Sequence, residues 1–140
     1  MSVLAPGTLP GPSAIHLDTS WLIRALVPDT PEGAALREWL ASDVPVRMSA
    51  VAWAEFLCGP GGSDADHVSV ELARRIVRRR IPVTDREARS AARLFNAAGR
   101  RRGSLADAMV AATAILDDAR LATVDTRDFA GWRDEGLDLM

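Results

Sequence analysis

The sequence predicts a three-layer α/β domain, a central and mainly parallel sheet with helices on both faces. Two observations carry that expectation. Short apolar runs alternate with longer segments of helical spacing, and acids close two of the runs, at Asp18 and Asp125, where an open parallel sheet binds its ligands. The length of 140 residues suits one domain with its own buried core.

Met1 to Ser13, rich in proline and glycine, reads as a flexible N-terminal extension that lacks the positive start and long apolar stretch of a secretory signal; the domain is expected over residues 14–140. Ala14 to Thr19 forms an inner strand, and Thr19 and Ser20 offer hydroxyls to cap a helix from Trp21 to Val27. Pro28 stops it. Thr30, Pro31 and Glu32 supply a cap, a first-position proline and a first-turn acid for a helix to about Ser42. Val44 to Met48 is a second strand. Ser49 caps a very apolar helix that holds Glu55 and ends at Gly59-Pro60-Gly61-Gly62.

His67 to Arg80 alternates apolar and basic residues at helical spacing, and Arg80 to Val83 is a short strand whose Pro82 places it at the outside of the sheet. Thr84-Asp85-Arg86-Glu87 is a capping box for a helix to about Arg100. Gly103 separates this from a helix over Ser104 to Ala119. Leu121 to Val124 is the fourth strand, Asp125 begins a brief helix ending near Gly136, and Leu137 to Met140 is a last edge strand.

Composition narrows the chemistry. Apolar content of 48% and charged content of 26% are those of a soluble globular protein, and no apolar run reaches the roughly 18 residues of a membrane span. One cysteine, Cys58, excludes an internal disulfide, suits a reducing cytoplasm and cannot alone build a zinc site. The net charge of -2 announces no nucleic acid. All 17 basic residues are arginine, so every mechanism that needs a catalytic lysine is removed.

Four carboxylates stand at comparable edges of apolar segments: Asp18, Glu55, Asp107 and Asp125. Glu55 lies between Ala50-Val51-Ala52-Trp53-Ala54 and Phe56-Leu57-Cys58, a setting where an ionised group requires a partner. Several acids in one dry pocket raise each other's pKa unless a cation neutralises them. All-oxygen ligands suit Mg²⁺ or Mn²⁺, and the scarcity of histidine and cysteine argues against zinc. Such a site lowers the pKa of bound water and polarises a phosphoryl oxygen, which equips it to hydrolyse a phosphodiester. Each acid also has a plainer role open to it: Asp107 could complete the capping box Ser104-x-x-Asp107, Asp125 with Asp128 could be a cap and its first-turn partner, Glu55 a rim residue and Asp18 a turn residue.

Leu17-Asp18-Thr19-Ser20, Ala54-Glu55, Ser104-Leu105-Ala106-Asp107 with Ala111-Ala112-Thr113-Ala114, and Ala122-Thr123-Val124-Asp125 with Asp128-Phe129 together resemble the motifs of the PIN-domain ribonucleases, and within them the VapC-type toxins of bacterial toxin-antitoxin pairs. The resemblance covers residues 14 to about 140. It implies a PIN-like fold and a Mg²⁺-dependent endoribonuclease, with Mn²⁺ as substitute, whose acids coordinate metal and position the attacking water. By that carry-over Asp18 and Asp107 are metal ligands, Glu55 orients ligands or water, and Asp125 completes the site with Thr123 or Thr19 hydroxyls in support. Asp128 could share or replace the role of Asp125. The resemblance also implies a homodimer and an antitoxin protein that blocks the acidic groove. The chain departs from the family at His16, where an aliphatic residue is usual, and in its N-terminal extension.

Arg100-Arg101-Arg102 precedes the helix of Asp107 closely enough for guanidiniums to hold RNA phosphates near a metal. Arg74, Arg75, Arg78, Arg79 and Arg80 form a second basic run, equally readable as a solvated helix face. The tryptophans and phenylalanines read as core or interface packing. A receiver domain is excluded by the missing lysine. A haloacid-dehalogenase-type phosphatase is excluded by Ser20, where a second aspartate is required. A metal-independent ribonuclease would need His16 and His67 as an acid–base pair, which their positions do not favour. The surviving rival is a catalytically silent PIN-like module that keeps its acids and binds a partner protein.

Overall fold

Ile15–Leu17 forms β1, and all three side chains are buried, as a strand covered on both faces requires. The computed structural model describes residues 13–59, 64–100 and 104–140. The other strands are β2 (Val46–Ser49), β3 (Arg79–Ile81), β4 (Arg120–Ala122) and β5 (Asp138–Leu139). They form one sheet in the order β3-β2-β1-β4-β5, and every pairing is parallel. β1 is therefore central, and the order reverses there, so the carboxyl ends of β1 and β4 are where a doubly wound sheet binds its ligands.

The helices are α1 (Thr19–Ala25), α2 (Pro31–Ala41), α3 (Ala50–Cys58), α4 (His67–Ile76), α5 (Asp85–Ala97), α6 (Leu105–Leu116) and α7 (Thr126–Phe129), followed by a 3₁₀ segment, Ala130–Glu135. They flank the sheet in a three-layer α/β/α arrangement. α5 packs along α6, α1 against α2, and α3 touches both α1 and α6. The small buried side chains of α6, Ala108, Ala111, Ala112 and Ala114, let it lie close to the sheet. Leu17, Met48, Leu121 and Phe129 are among the most completely buried side chains.

Most caps follow the sequence. Thr30 accepts from the amide of Gly33 and Ser49 from that of Ala52, each cap relieving an amide the helix leaves unpaired. Thr84 and Glu87 form the expected capping box. β3 lies at the edge and ends before Pro82, which could not donate to a ladder. Gly136, at φ 101°, turns the chain into β5.

Several ends differ from the sequence reading: α5 stops at Ala97 and α6 at Leu116, short of the expected Arg100 and Ala119, and β4 spans Arg120–Ala122 instead of running to Val124. Two further elements differ in ways that bear on function. Helix α1 begins at Thr19 with Asp18 in the N-cap position, and neither Thr19 nor Ser20 caps it; Asp18 makes no side-chain cap bond either, because its carboxylate is engaged elsewhere. Helix α4 ends at Ile76 instead of running to Arg80. Val77 is fully buried, and Arg79 pairs with Arg47 of β2, so parallel pairing overrides the helical spacing of the basic run. Residues 1–12 of the expected extension, and Pro60 to Ser63, lie outside the described residues.

Candidate active site

Asp18 follows β1 directly and is buried, 6% exposed. Its Oδ2 accepts hydrogen bonds from Ser20 Oγ and Thr123 Oγ1, both at 2.8 Å. Thr123 follows β4, the neighbour of β1, so the parallel pairing of Leu17 with Ala122 brings the two strand ends side by side. Thr123 Oγ1 also accepts from the amide of Asp125 at 3.0 Å, and Ser20 Oγ accepts from the amide of Val124 at 3.2 Å. A hydroxyl that accepts from a fixed amide has its proton directed elsewhere, here toward the carboxylate.

Three further acids feel the charge of Asp18. The Glu55 carboxyl is raised above its ordinary pKa by partial burial, then by Asp18 and Asp107. Burial likewise raises Asp107, opposed by its hydrogen bond from Ser104 and reinforced by Asp18 and Asp128. Asp125, at the exposed rim, is raised by desolvation and then by Asp18 and Asp128, with a hydrogen bond from Ser20 opposing. Like charges act this way only when they share a region. Asp18 is coupled to Glu55, Asp107 and Asp125, and Asp128 to Asp107 and Asp125.

Each acid arrives on a different element. Glu55 is on the exposed side of α3, while Ala52, Trp53 and Phe56 of that helix face the core. Asp107 stands in the first turn of α6. There it completes the box with Ser104: the Ser104 amide donates to Asp107 Oδ2 at 3.2 Å, and the Asp107 amide donates to Ser104 Oγ at 3.0 Å. The plain capping role and the electrostatic coupling coexist in one carboxylate. Asp125 occupies the N-cap position of α7 without a side-chain cap bond, which leaves its carboxylate to the cleft. Asp128 is exposed on the first turn of α7.

Not every expected participant is there. The Thr19 hydroxyl donates to the carbonyl of Ala52 at 2.8 Å, tying α1 to the helix of Glu55 instead of supporting the acids. Ser20 takes the place that sequence reasoning offered to Thr19. Its signal was the Asp-x-Ser spacing at a strand end, where a hydroxyl can fold back on the carboxylate two residues earlier. Arg100 is exposed, with its guanidinium 5.6 Å from the Phe95 ring centroid; Arg101 and Arg102 lie outside the described residues.

The donor set is oxygen only, and burial, reinforced by mutual repulsion, raises three of its acids. Both features fit a hard divalent cation, which would relieve the repulsion. Among the described residues no group of three or more histidine, cysteine, aspartate or glutamate side chains is placed to hold a metal ion. Mg²⁺ suits such an open arrangement because it keeps several waters and needs one or two carboxylates.

His16, buried in β1, lies away from these acids. Its Nε2 hydrogen-bonds Asp117 Oδ2 at 2.7 Å, and Arg47 Nη1 donates to the same oxygen at 2.8 Å. Burial lowers the His16 pKa despite Asp117. Burial would raise Asp117, but hydrogen bonds from His16 and Arg47 outweigh it and hold the carboxyl low. The inner-strand histidine is thus held by a carboxylate at the end of α6. The aromatic residues are packing residues: Trp53, Phe56, Phe129 and Trp132 are buried, and Trp21 stacks on Trp39 with centroids 5.6 Å apart.

Comparison with known proteins gives a consistent likeness. The model of the PIN domain matches residues 15–131. Similar solved structures include VapBC2 from Rickettsia felis bound to a DNA fragment from its promoter, at TM-score 0.75 and 17% identity over 91% of this chain and 97% of that one. A toxin-antitoxin complex from Klebsiella pneumoniae matches at TM-score 0.65 and 26% identity over 85% and 92%. VapBC-5 of Mycobacterium tuberculosis matches at TM-score 0.56 and 26% identity over 92% and 97%. No curated protein matches the chain significantly.

Proposed function

Since the chain belongs to the PIN-domain family, we propose that it is a metal-dependent endoribonuclease, the VapC-type toxin of a toxin-antitoxin pair. The observation that carries this reading is the buried Asp18, held by Ser20 and Thr123 at the carboxyl ends of β1 and β4, with Glu55, Asp107 and Asp125 each raised first by burial and in part by the charge of Asp18. Asp18 and Asp107 would hold Mg²⁺, or Mn²⁺ in its place, with Asp125 or Asp128 completing the set. When bound, the ion supplies an acidified water and Lewis-acid polarisation of a phosphodiester.

The chain's own residues do the remaining work. Thr123 and Ser20 hold Asp18 in one orientation through hydroxyls whose protons point at it. Glu55 and Asp125, whose pKa values are raised by burial and then by neighbouring charge, are the acids suited to exchange a proton with water. The rigid α6 cap sets the position of Asp107.

The family likeness further supports a cognate antitoxin as protein partner, a homodimer and action in the cytoplasm, where RNA is found. Among the described residues no helix is long and apolar enough to cross a membrane. The test is cleavage of total cellular RNA with end mapping. Cleavage should require Mg²⁺ or Mn²⁺, stop with EDTA, and vanish in Asp18→Asn or Asp107→Asn with the fold intact. A folded, metal-loaded protein inert toward RNA would make the chain a silent interaction module instead.

A further inference from the structure

The basic run Arg74 to Arg80 does not form the helix face its spacing suggests, because α4 ends at Ile76. Its arginines part company. Arg74 lies near Glu71, at 3.9 Å, and Arg80 covers the ring of Trp53 at 4.9 Å while donating to the carbonyl of Val77. Arg75, Arg78 and Arg79 instead join Arg47 around one groove of about 520 Å³. Among the described residues Arg75, Arg78 and Arg79 take part in no ion pair, and all three are exposed. The groove contains one carboxylate, Asp43, and Arg47 is held by Asp117.

Four guanidiniums against two carboxylates leave an uncompensated positive groove in a chain whose net charge is negative. Arginine presents planar, paired donors that match phosphate oxygens, and such forks gathered from α4, its connector, β2 and β3 describe a track more than a slot. Its floor, including Leu40 and Ile76, offers apolar surface between the cations. The groove lies at the amino ends of β2 and β3, so in an all-parallel sheet it is at the opposite end from the acids. Val46 pairs with Ile15, and Asp18 lies three residues further along, so about 10 Å of strand separates the two levels at ~3.3 Å per residue. Between them, Arg80 stacks on α3, the helix of Glu55.

We propose that this groove binds the phosphate backbone of the RNA substrate away from the scissile bond, as a docking site along the β3 edge. This rests on the ribonuclease reading for its choice of polyanion. The arginines act by charge and position and touch no reacting atom.

The experiment uses the full chain and its variant R75A/R78A/R79A, with folding checked by thermal melting, since these side chains are exposed. Binding of a fluorescein-labelled RNA hairpin with a single-stranded flank is measured in EDTA across a salt series, and cleavage of the hairpin and of a short oligonucleotide is measured with Mn²⁺. The variant should bind on the order of tenfold to a hundredfold more weakly at about 0.1 M salt, with a log–log salt slope less steep by about two to three. KM for the hairpin should rise while cleavage of the short oligonucleotide stays unchanged. Equal RNA affinity and equal salt slope in the two proteins would overturn the docking site while leaving the nuclease intact. So would loss of binding to an acidic peptide with RNA binding unchanged, which would assign the groove to a protein partner. A wild-type protein that binds RNA through these arginines but cuts neither substrate would retain the groove and remove the nuclease.

Discussion

Thr123 donates a 2.8 Å hydrogen bond to Asp18 across 105 positions of chain, and this bond joins the ends of two adjacent strands at the floor of the acidic cleft. The same hydroxyl accepts from the amide of Asp125, so a rim acid and a buried acid share one anchor.

Thr123→Val keeps the shape and removes the donor. A buried hydrogen bond to a charged group contributes roughly 1.5–3 kcal/mol, so the variant should unfold at lower denaturant with an unchanged m-value. Its kcat should fall while KM holds, because Asp18 loses orientation and the proposed docking groove is untouched. Ser20→Ala should do the same to a lesser degree. Undiminished kcat in both would remove the positioning role.

Asp18→Asn removes the charge common to Glu55, Asp107 and Asp125. Carboxyl NMR titration of the metal-free variant should show all three pKa values moving back toward the ordinary range, Glu55 and Asp125 included. Titrations that ignore the substitution would mean the acids occupy separate surroundings.

The pH dependence of stability has two limbs of opposite sign. Glu55, Asp107 and Asp125 have raised folded pKa values, so between the ordinary carboxylate range and those values the native state holds more protons than the unfolded chain. Their contribution falls as pH rises through that window. Millimolar Mg²⁺ or Mn²⁺ should therefore raise the Tm more at neutral than at acidic pH. A Tm indifferent to both ions would weigh heavily against a shared metal site.

His16 acts the other way. Its folded pKa is lowered from 6.5, so below that value the unfolded chain takes up the proton first and stability declines as pH falls toward the folded value. In His16→Gln this limb should flatten, with denaturant midpoints measured over a pH series as the readout. An unchanged limb would assign the acid sensitivity elsewhere.

Asp128 and Asp125 can be separated. Asp128 acts on both Asp107 and Asp125, whereas Asp125 feels Asp18 and draws on Ser20. Asp125→Asn should lose more of the metal-induced rise in Tm than Asp128→Asn; the reverse order would make Asp128 the fourth acid.

Local chemistry made most of the elements readable. Thr30, Ser49, Thr84 and Ser104 cap the helices their spacing announced, because a cap is satisfied within four residues. The end of α4 was not readable, since Val77 and Arg79 answer to β2 and not to their neighbours in sequence. The exchange of roles between Thr19 and Ser20 was equally hidden: which hydroxyl meets Asp18 depends on where Ala52 and Thr123 stand after folding.

By itself the sequence determined the alternating order of strands and helices, the identity of the acids and the absence of lysine and of a disulfide, because periodicity, caps and composition are properties of short stretches. Only the tertiary structure decided that Asp18 lies under Thr123 and Ser20, that Asp107 feels acids from other elements, and that the basic run divides between Trp53 and a groove. Those outcomes depend on parallel register between strands far apart in the chain, and charges interact through space according to where that register puts them.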